Sequence, residues 1–274
     1  MRVDVLMVEK GFASSRNRAQ ELIASGRVFL VVAGRKQAVK KSSLQVEPSD
    51  DTTFELTQGP DDCEFVSRGG LKLKGALKRS KLDVKGLRVL DIGISTGGFT
   101  DCLLQSGAAF VVGVDVGHGQ LAEKLKNDPR VKLFEGVNAR QLTTIPLATF
   151  TEGNKFDLVV IDVSFISLTL VLPEAISYLR DSASIVALVK PQFEVGRENL
   201  GKNGIVKDAA LYTGVEAKIR TACRAAGLIV EDYFESPIEG SDGNREFFVV
   251  AKSPELSLDL YPVGVLGRGQ PDGM

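Results

Sequence analysis

Hydrophobic and polar positions alternate along most of this chain in two periods. After a predicted helix at 71–82, apolar runs bounded by turn residues predict buried strands, and apolar residues three or four positions apart predict helices. The predicted strands are 88–92, 110–115, 131–134, 156–161, 185–189, 227–233 and 245–251. The predicted helices are 71–82, 98–106, 118–127, 169–180 and 208–226. This alternation predicts an α/β fold with a doubly wound, Rossmann-like and mostly parallel sheet.

The last predicted strand is the exception to the parallel arrangement. It follows strand 227–233 through a connection, Glu235 to Arg245, that is too short for a crossover. We therefore expect it to run antiparallel, so that its first residue lies at the edge where the parallel strands end.

The first 58 residues have a pattern of their own and predict a small α+β domain. Its expected elements are two helices, Val3–Lys10 and Ser15–Ser25, and two strands, Val28–Val32 and Thr53–Leu56. Ser14 and Ser15 are candidate N-caps of the second helix. The expected organisation is a domain over 1–58, a linker over 59–65, a domain over 66–252 and a poorly ordered tail over 253–274.

Charge is balanced over the whole chain and unbalanced locally. The 274 residues carry a net charge of −1, but residues 1–41 contain nine basic and three acidic residues, a net charge of +6. Basic residues on a helix face and an adjoining turn form a surface suited to nucleic-acid phosphates. The alternative is an ordinary solvated helix face.

Several classes of protein are disfavoured by composition. The three cysteines, Cys63, Cys102 and Cys223, form no spaced cluster, so neither a disulfide framework nor a metal site is expected. The first residues show no long apolar core and no cleavage site, so we expect no secretory signal, and the most apolar stretch, 158–173, is too short to span a bilayer. We expect a cytoplasmic protein without a membrane partner.

A glycine-rich turn follows the first strand of the large domain. It reads Asp91-Ile-Gly-Ile-Ser-Thr-Gly-Gly, and it leads into a helix. A dinucleotide fingerprint requires glycine where Ser95 stands, and a phosphate-binding loop requires lysine where Phe99 stands. The spacing of Asp91, Gly93, Gly97 and Gly98 instead resembles the first motif of S-adenosylmethionine-dependent methyltransferases. We expect these residues and Ser95 to bind that cofactor.

Two later residues extend the expected cofactor site. Asp115 ends the second strand about 20 residues beyond the loop, where a carboxylate accepts hydrogen bonds from ribose hydroxyls. Asn138 lies in the loop after the third strand and is expected beside the adenine edge.

Four charged residues are expected to converge at the same edge of the sheet. Asp162 and Lys190 each follow a buried strand, where open α/β sheets bind their ligands. Glu246 begins the antiparallel strand, and Lys72 lies on the opening helix. Buried ion pairs with a purely structural role are the alternative, but unpaired buried charge is costly.

These four residues match the Lys-Asp-Lys-Glu set of ribose 2′-O-methyltransferases of the FtsJ type. More closely, the chain resembles the TlyA family of 2′-O-methyltransferases, older members of which are called haemolysins. The resemblance covers about residues 1–252, and five ordered motifs carry it: Ser67-Arg-Gly-Gly-Leu-Lys-Leu, Asp91-Ile-Gly-Ile-Ser-Thr-Gly-Gly-Phe-Thr, Asp162-Val-Ser-Phe-Ile-Ser-Leu, Val189-Lys-Pro-Gln-Phe-Glu and Gly204-Ile-Val-Lys-Asp. It implies methylation of ribosomal RNA, typically at a cytidine ribose.

The N-terminal segment is similar to the RNA-binding module named after ribosomal protein S4. The similarity is carried by Arg-Val-Asp-x-x-Leu and then Ala-Ser-Ser-Arg-x-x-Ala-x-x-Leu-Ile-x-x-Gly-x-Val. A long glycine-rich loop, 191–208, follows Lys190 and is expected to be a lid or disordered. The residues expected to contact RNA are Arg16, Arg18, Arg27, Lys36, Lys40, Lys41, Arg68, Phe193, Arg197 and Lys202.

For the chemistry, the resemblance implies that Lys190 takes the proton of the 2′-hydroxyl or stabilises the oxygen, with both roles open. Asp162 is expected beside cofactor and substrate, and Lys72 and Glu246 would orient this pair. Three rival functions remain: an RNA base methyltransferase, a membrane-lysing toxin, and a non-catalytic RNA-binding protein. The first is disfavoured because Cys102 and Cys223 lie inside predicted helices, and the second because the chain has no spanning stretch.

Overall fold

The computed structural model describes residues 1–13, 15–49, 51–56, 64–142, 147–150, 155–201, 204–240 and 243–255. Most of the expected linker and tail, with Ser14, Cys63 and Lys202, lies outside these ranges. The described residues form two units, each with a sheet and a hydrophobic core of its own.

The N-terminal unit packs two helices against a three-stranded antiparallel sheet. Its elements are α1 (Val3–Glu9), α2 (Arg16–Ala24), β1 (Val28–Val32), β2 (Arg35–Ala38) and β3 (Thr52–Leu56), with strand order β2-β1-β3. Ser15 caps α2 by accepting a hydrogen bond from the Arg18 amide at 3.2 Å, as its position predicts. Strand β2 was not predicted, because its four residues are all exposed and show no apolar pattern.

The large unit is a seven-stranded sheet covered by helices. Its elements are α3 (Gly69–Ser80), β4 (Arg88–Ile92), α4 (Gly98–Gln105), β5 (Phe110–Val114), α5 (Glu123–Lys126), β6 (Val131–Phe134), β7 (Phe156–Ile161), α6 (Leu172–Ile176), β8 (Leu179–Val189), α7 (Leu211–Ala225), β9 (Ile229–Glu235) and β10 (Phe247–Lys252). The strand order is β6-β5-β4-β7-β8-β10-β9. Strand β10 is antiparallel to both neighbours, which confirms the expected orientation. The doubly wound fold class is also confirmed.

Two predicted helices are wrong in extent. The helix expected over 118–127 is only the single turn α5, because the segment before it is a loop with Gly119 at a positive φ. The helix expected over 169–180 ends at Ile176, and β8 begins at Leu179 rather than at 185. The first half of β8 was not predicted from the sequence. It is irregular, because Ser182 has a positive φ and the register of pairing with β7 shifts there.

Candidate active site

The glycine turn after β4 packs closely against neighbouring segments of the chain. Gly93 has φ +90°, and a side-chain carbon there would lie 2.2 Å from the carbonyl oxygen of Asp162. A side-chain carbon on Gly98 would lie 2.3 Å from Ser67 Oγ, and one on Gly97 would meet the side chain of Leu125 at the same distance. The glycines therefore also allow close packing of the turn onto the end of β7, α3 and α5, a purpose that the spacing alone did not indicate.

Asp91 is fully buried beneath this turn. Its Oδ2 accepts a hydrogen bond of 2.7 Å from Thr100 Oγ1, while its Oδ1 is buried without a hydrogen-bond partner. Burial raises the pKa of Asp91 to about 7, and the charges of Asp162 and Asp115 add to the rise, although the Thr100 bond opposes it. A buried acceptor without a donor is the feature expected where a donor group of a ligand is to be held.

The orientation of the Asp115 carboxylate at the end of β5 is fixed by backbone donors. Its Oδ2 accepts from the Ser95 amide at 2.8 Å, and its Oδ1 accepts from the Gly117 amide at 2.7 Å. Ser95 has φ +47°, and its hydroxyl donates to Gln120 Oε1 at 3.0 Å. The carboxylate thus faces the turn that Asp91 underlies, with lone pairs left for further donors.

Two neighbours of Asp115 complete this side of the crevice. Asn138 is exposed and uses its Oδ1 to accept from the Arg140 amide at 3.0 Å. The preceding Val137 amide donates to the Asp115 carbonyl at 2.9 Å, which keeps the Asn138 loop beside Asp115. Val116 was not singled out by sequence reasoning, yet 71% of it is exposed. An exposed apolar side chain directly after Asp115 suits contact with an apolar ring.

The register of the sheet brings the charged residues to one edge. Ile92 is paired with Ile161, so that Gly93 and Asp162 leave neighbouring parallel strands side by side. Val189 is paired with Phe247 in the antiparallel ladder, which sets Lys190 opposite Glu246. The structure thus brings together the residues that the sequence placed at this edge.

Two ion pairs are present among the four charged residues. Lys190 Nζ lies 2.6 Å from Asp162 Oδ1, in an ion pair. Lys190 also donates to Ser164 Oγ at 2.9 Å. Lys72 Nζ donates to Glu246 Oε2 at 2.6 Å, and both side chains of this pair are nearly inaccessible. The side chains of the first pair are 12% and 22% exposed and those of the second are 10% and 3% exposed, so the first pair is the more open of the two and the second is the more buried.

Beside the open pair is an aromatic residue that sequence reasoning missed. Phe165 is 89% exposed and has φ +65°, a strained conformation for a bulky residue. Its ring lies 5.2 Å from the ring of Phe193, tilted by 49°. Such exposure and strain next to charged residues are typical of a functional position. The sequence signal that could have identified Phe165 is its position three residues after Asp162, the aspartate that ends a strand.

The loop over 191–208 is less free than its length suggests. Short 3₁₀ turns cover Pro191–Phe193 and Arg197–Asn199, and Leu200 bridges to Val206. The buried Asn244 accepts from the Val206 amide at 3.2 Å and donates to the Gly204 carbonyl at 3.1 Å. The described part of this loop is therefore ordered, so the expectation of disorder is wrong there, and a role as a lid stays a prediction.

The residues expected to contact RNA differ in whether they already form ion pairs or hydrogen bonds within the chain. Arg16 and Arg18 form ion pairs with Asp4 at 3.5 Å and with Glu21 at 3.2 Å. Lys36 pairs with Glu55 at 2.6 Å. Arg68 donates to the Glu239 carbonyl at 3.0 Å. Among the described residues, the exposed Lys40, Lys41 and Arg197 have no ion pair, and Arg27 is half-buried.

Comparison with known proteins matches two family models to different parts of the chain. The model of FtsJ-like methyltransferases matches residues 65–253, and the model of the S4 domain matches residues 1–30. The 16S/23S rRNA (cytidine-2′-O)-methyltransferase TlyA of Mycobacterium tuberculosis is 43% identical over 90% of this chain and 88% of its own. Hemolysin A of Brachyspira hyodysenteriae is 36% identical over 90% and 98%.

A solved structure is similar over nearly the whole chain. It is that of a candidate hemolysin from Streptococcus thermophilus, 40% identical, with a TM-score of 0.70 over 93% of this chain and 90% of the other. Because relatives carry the name hemolysin, the helices bear on this point. In the ranges that the structure describes, no helix has the length and hydrophobicity needed to cross a membrane.

Proposed function

This chain belongs to the family of FtsJ-like methyltransferases, and from that premise we propose that it methylates the ribose 2′-hydroxyl of a cytidine in ribosomal RNA. The observation that carries the proposal is the open ion pair of Lys190 and Asp162, set directly against the glycine turn. A hydroxyl group placed there has a charged donor on one side and the expected position of the cofactor on the other. The buried Lys72–Glu246 pair supports this arrangement.

The residues around the turn fit S-adenosylmethionine. Asp91 offers a buried oxygen without a partner, which would accept from the amino group of the cofactor. Asp115 would hold the ribose hydroxyls, and the exposed Val116 and Asn138 would flank the adenine. When bound, S-adenosylmethionine supplies an electrophilic methyl group on sulfur.

The chain's own contribution to the reaction is position and charge. Lys190 is held by Asp162 and Ser164, so its nitrogen is fixed at the edge that the target hydroxyl must reach. It either accepts the hydroxyl proton or donates to the oxygen as negative charge develops there. A pH profile of kcat separates the two roles, since only a base loses activity when it is protonated. Correct placement of the two reacting groups supplies much of the rate.

Phe165 and Phe193 give the target nucleotide a surface. We expect the base of the target nucleotide to leave the helical stack when its ribose approaches Lys190, and an extruded base is commonly stacked on an aromatic side chain. We assign that contact to the Phe165–Phe193 pair, because Phe165 is exposed and the half-buried Phe193 lies in the loop that follows Lys190. The N-terminal unit, which matches the S4 domain, would hold the surrounding RNA. A ribosomal subunit in the cytoplasm is the partner that these features favour.

The direct test is methylation of purified ribosomal subunits by the full chain. Nucleosides from the digested RNA should contain 2′-O-methylcytidine only when S-adenosylmethionine and active protein are both present. The Asp162→Asn variant is the matched control, since it keeps the size of the side chain. Methyl groups found on a base, or none on any subunit despite bound cofactor, would contradict the proposal. Calorimetry should also detect binding of S-adenosylmethionine and not of NAD or ATP.

A further inference from the structure

Glu194 is a buried carboxylate that the proposed chemistry does not use. It ends the motif Val189-Lys-Pro-Gln-Phe-Glu, four residues after Lys190, and its side chain is only 1% exposed. A buried carboxylate is costly unless its oxygens are fully partnered. Its partners therefore indicate which parts of the molecule it holds.

Those partners come from two other segments around the crevice. Glu194 Oε1 accepts from the Leu168 amide at 2.7 Å, and Oε2 accepts from Ser167 Oγ at 2.6 Å. Both belong to the segment that follows β7 and carries Asp162 and Phe165. The third partner is Lys218 on α7, whose ammonium lies 2.7 Å from Oε2 and 3.1 Å from the backbone carbonyl of Glu194. One side chain thus joins the loop after β8 to the loop after β7 and to a helix.

Each of the two loops carries one half of the functional constellation. The loop after β7 brings Asp162 and Phe165, and the loop after β8 brings Lys190 and Phe193. The strands fix these loops only at their first residues. Beyond the strand ends, Lys190 joins the loops through Asp162 and Ser164, and Glu194 adds a second set of charge-assisted hydrogen bonds further along both loops.

Resting on the proposed function, we propose that Glu194, with Lys218, is a positioning residue for methyl transfer. It sets the separation of the two loops, and with it the geometry of the Lys190–Asp162 pair and of the aromatic contact. It touches neither the expected cofactor site at Asp91 and Asp115 nor the reacting atoms. Its loss should therefore lower kcat and leave cofactor affinity unchanged.

A carboxylate at the other end of the same strands provides a matched control. Asp157 accepts from the Arg88 amide at 2.8 Å and from Arg180 Nη1 at 2.5 Å, so it joins β4, β7 and β8 as Glu194 joins the loops. Like Glu194 it combines an amide and a cation as partners, but it lies at the amino edge of the sheet, away from the crevice. Replacing Asp157 therefore measures how much the free energy of unfolding falls when such a carboxylate is lost away from the crevice.

The experiment compares Glu194→Ala, Glu194→Gln and Asp157→Ala in the full chain, below the unfolding temperature of all variants. We expect Glu194→Ala to lose about 100-fold in kcat, the cost of an error of about 1 Å in placement. Its affinity for S-adenosylmethionine and its KM for the RNA should stay within about threefold of wild type, the limit set by a role confined to placement. Glu194→Gln keeps an acceptor for the Leu168 amide and offers its NH2 group to the Ser167 hydroxyl, which can also accept, so it should recover most of the lost kcat.

The Lys218→Met variant tests the same inference if Glu194→Ala does not fold. It leaves the carboxylate without its cation, and it should lower kcat with cofactor affinity retained. Adding Glu194→Gln to Lys218→Met should restore kcat, because removing both charges leaves no uncompensated group.

The inference is overturned if Glu194→Ala keeps its kcat, or if Asp157→Ala loses kcat to the same degree at equal loss of stability. It is equally overturned if cofactor affinity falls in parallel with kcat. Failure of the proposed function is seen separately, because the wild-type chain itself would then form no 2′-O-methylcytidine.

Discussion

The N-terminal unit and the crevice each bury an aspartate completely, and the two carboxyl groups differ in every other respect. Asp4 accepts hydrogen bonds from Arg2 at 2.8 and 3.0 Å and from Gln20 at 2.8 Å, with Arg16 at 3.5 Å. The Arg2 hydrogen bonds hold the pKa of Asp4 far below its usual range, with further contributions from Gln20 and Arg16. Asp91 has one donor and an orphaned oxygen, and burial raises its pKa to about 7.

The difference separates a carboxylate that stabilises the fold from one that is reserved for a ligand. Asp4 has its partners within the chain, so its charge strengthens the N-terminal unit. Asp91 lacks them, so its charge costs stability until a donor arrives from outside. Perturbed carboxyl groups of the second kind cluster at functional sites. The comparison leads to the following expectations, from the largest effect to the smallest.

The crevice charges should serve chemistry more than stability. Replacing Lys190 by alanine should lower turnover by about 10²- to 10⁴-fold, the usual contribution of a positioned proton-transfer group. S-adenosylmethionine should still bind, which calorimetry measures. The control is Arg180→Ala, which removes a cation paired with Asp157 at the opposite edge and should keep near wild-type turnover. Retained turnover in Lys190→Ala would remove this residue from the mechanism.

Because residues of one constellation act as a unit, the Lys190→Ala and Asp162→Ala effects should not add. The double variant is expected to lose little more turnover than either single variant. Additive losses would mean that the open ion pair is not a functional unit.

Asp4 should show the opposite balance. Asp4→Asn should lower the free energy of unfolding of the N-terminal unit by about 2–3 kcal/mol, since it removes the charge from hydrogen bonds to a buried carboxylate whose cation, Arg2, is itself 39% exposed. A lowered pKa means that this stability is present above the unfolded pKa, near 4, and is lost as the pH falls through the folded pKa. Hydrogen exchange of the α1 and α2 amides at pH 7 and pH 3 measures both effects. Turnover on free cytidine-containing fragments should not change; wild-type protection in Asp4→Asn would contradict the role.

Asp91 should be the reverse case for stability. The unfolded carboxyl ionises near pH 4 and the folded one near pH 7, so its contribution is fully present below pH 4 and lost as the pH rises through 7. Asp91→Asn should therefore raise the stability of the cofactor-free protein at pH 8 by about 2–4 kcal/mol, following the size of the pKa shift. Thermal unfolding from pH 4 to 8 tests this expectation.

The same variant should bind S-adenosylmethionine more weakly, because its side chain no longer carries the charge that the cofactor's amino group would meet. In wild type, cofactor affinity should rise as the pH passes through 7. If Asp91→Asn lost stability and kept its affinity, the contrast between the two aspartates would be wrong.

The smallest effects are expected from exposed cations of the N-terminal unit. Lys40→Gln and Lys41→Gln should each weaken binding to ribosomal RNA and flatten its salt dependence by about one unit of slope. Lys36→Gln is the matched control, because Lys36 is already paired with Glu55 and should change the slope less. Filter binding at several salt concentrations measures the slopes. Cofactor affinity should be the same in all three variants, and an equal effect of Lys36→Gln would show that these pairs dissociate on RNA.

Much of this protein was determined locally in the sequence. Apolar runs such as Leu158–Ile161 specify buried parallel strands, and the glycine spacing after Asp91 specifies a strand–turn–helix, because both depend on neighbouring residues only. The short connection before Glu246 even determined the direction of β10. These features are enough to predict that Lys72, Asp162, Lys190 and Glu246 lie at one edge of the sheet.

Tertiary structure alone decided what those residues contact. The division of the four charges into an open and a buried pair depends on strand register, and the orphaned oxygen of Asp91 depends on what packs above it. The exposure of Phe165 and the anchoring role of Glu194 likewise follow from contacts between distant segments. A sequence pattern reports how each residue relates to its neighbours along the chain, whereas burial and electrostatic environment are set by residues far away in sequence.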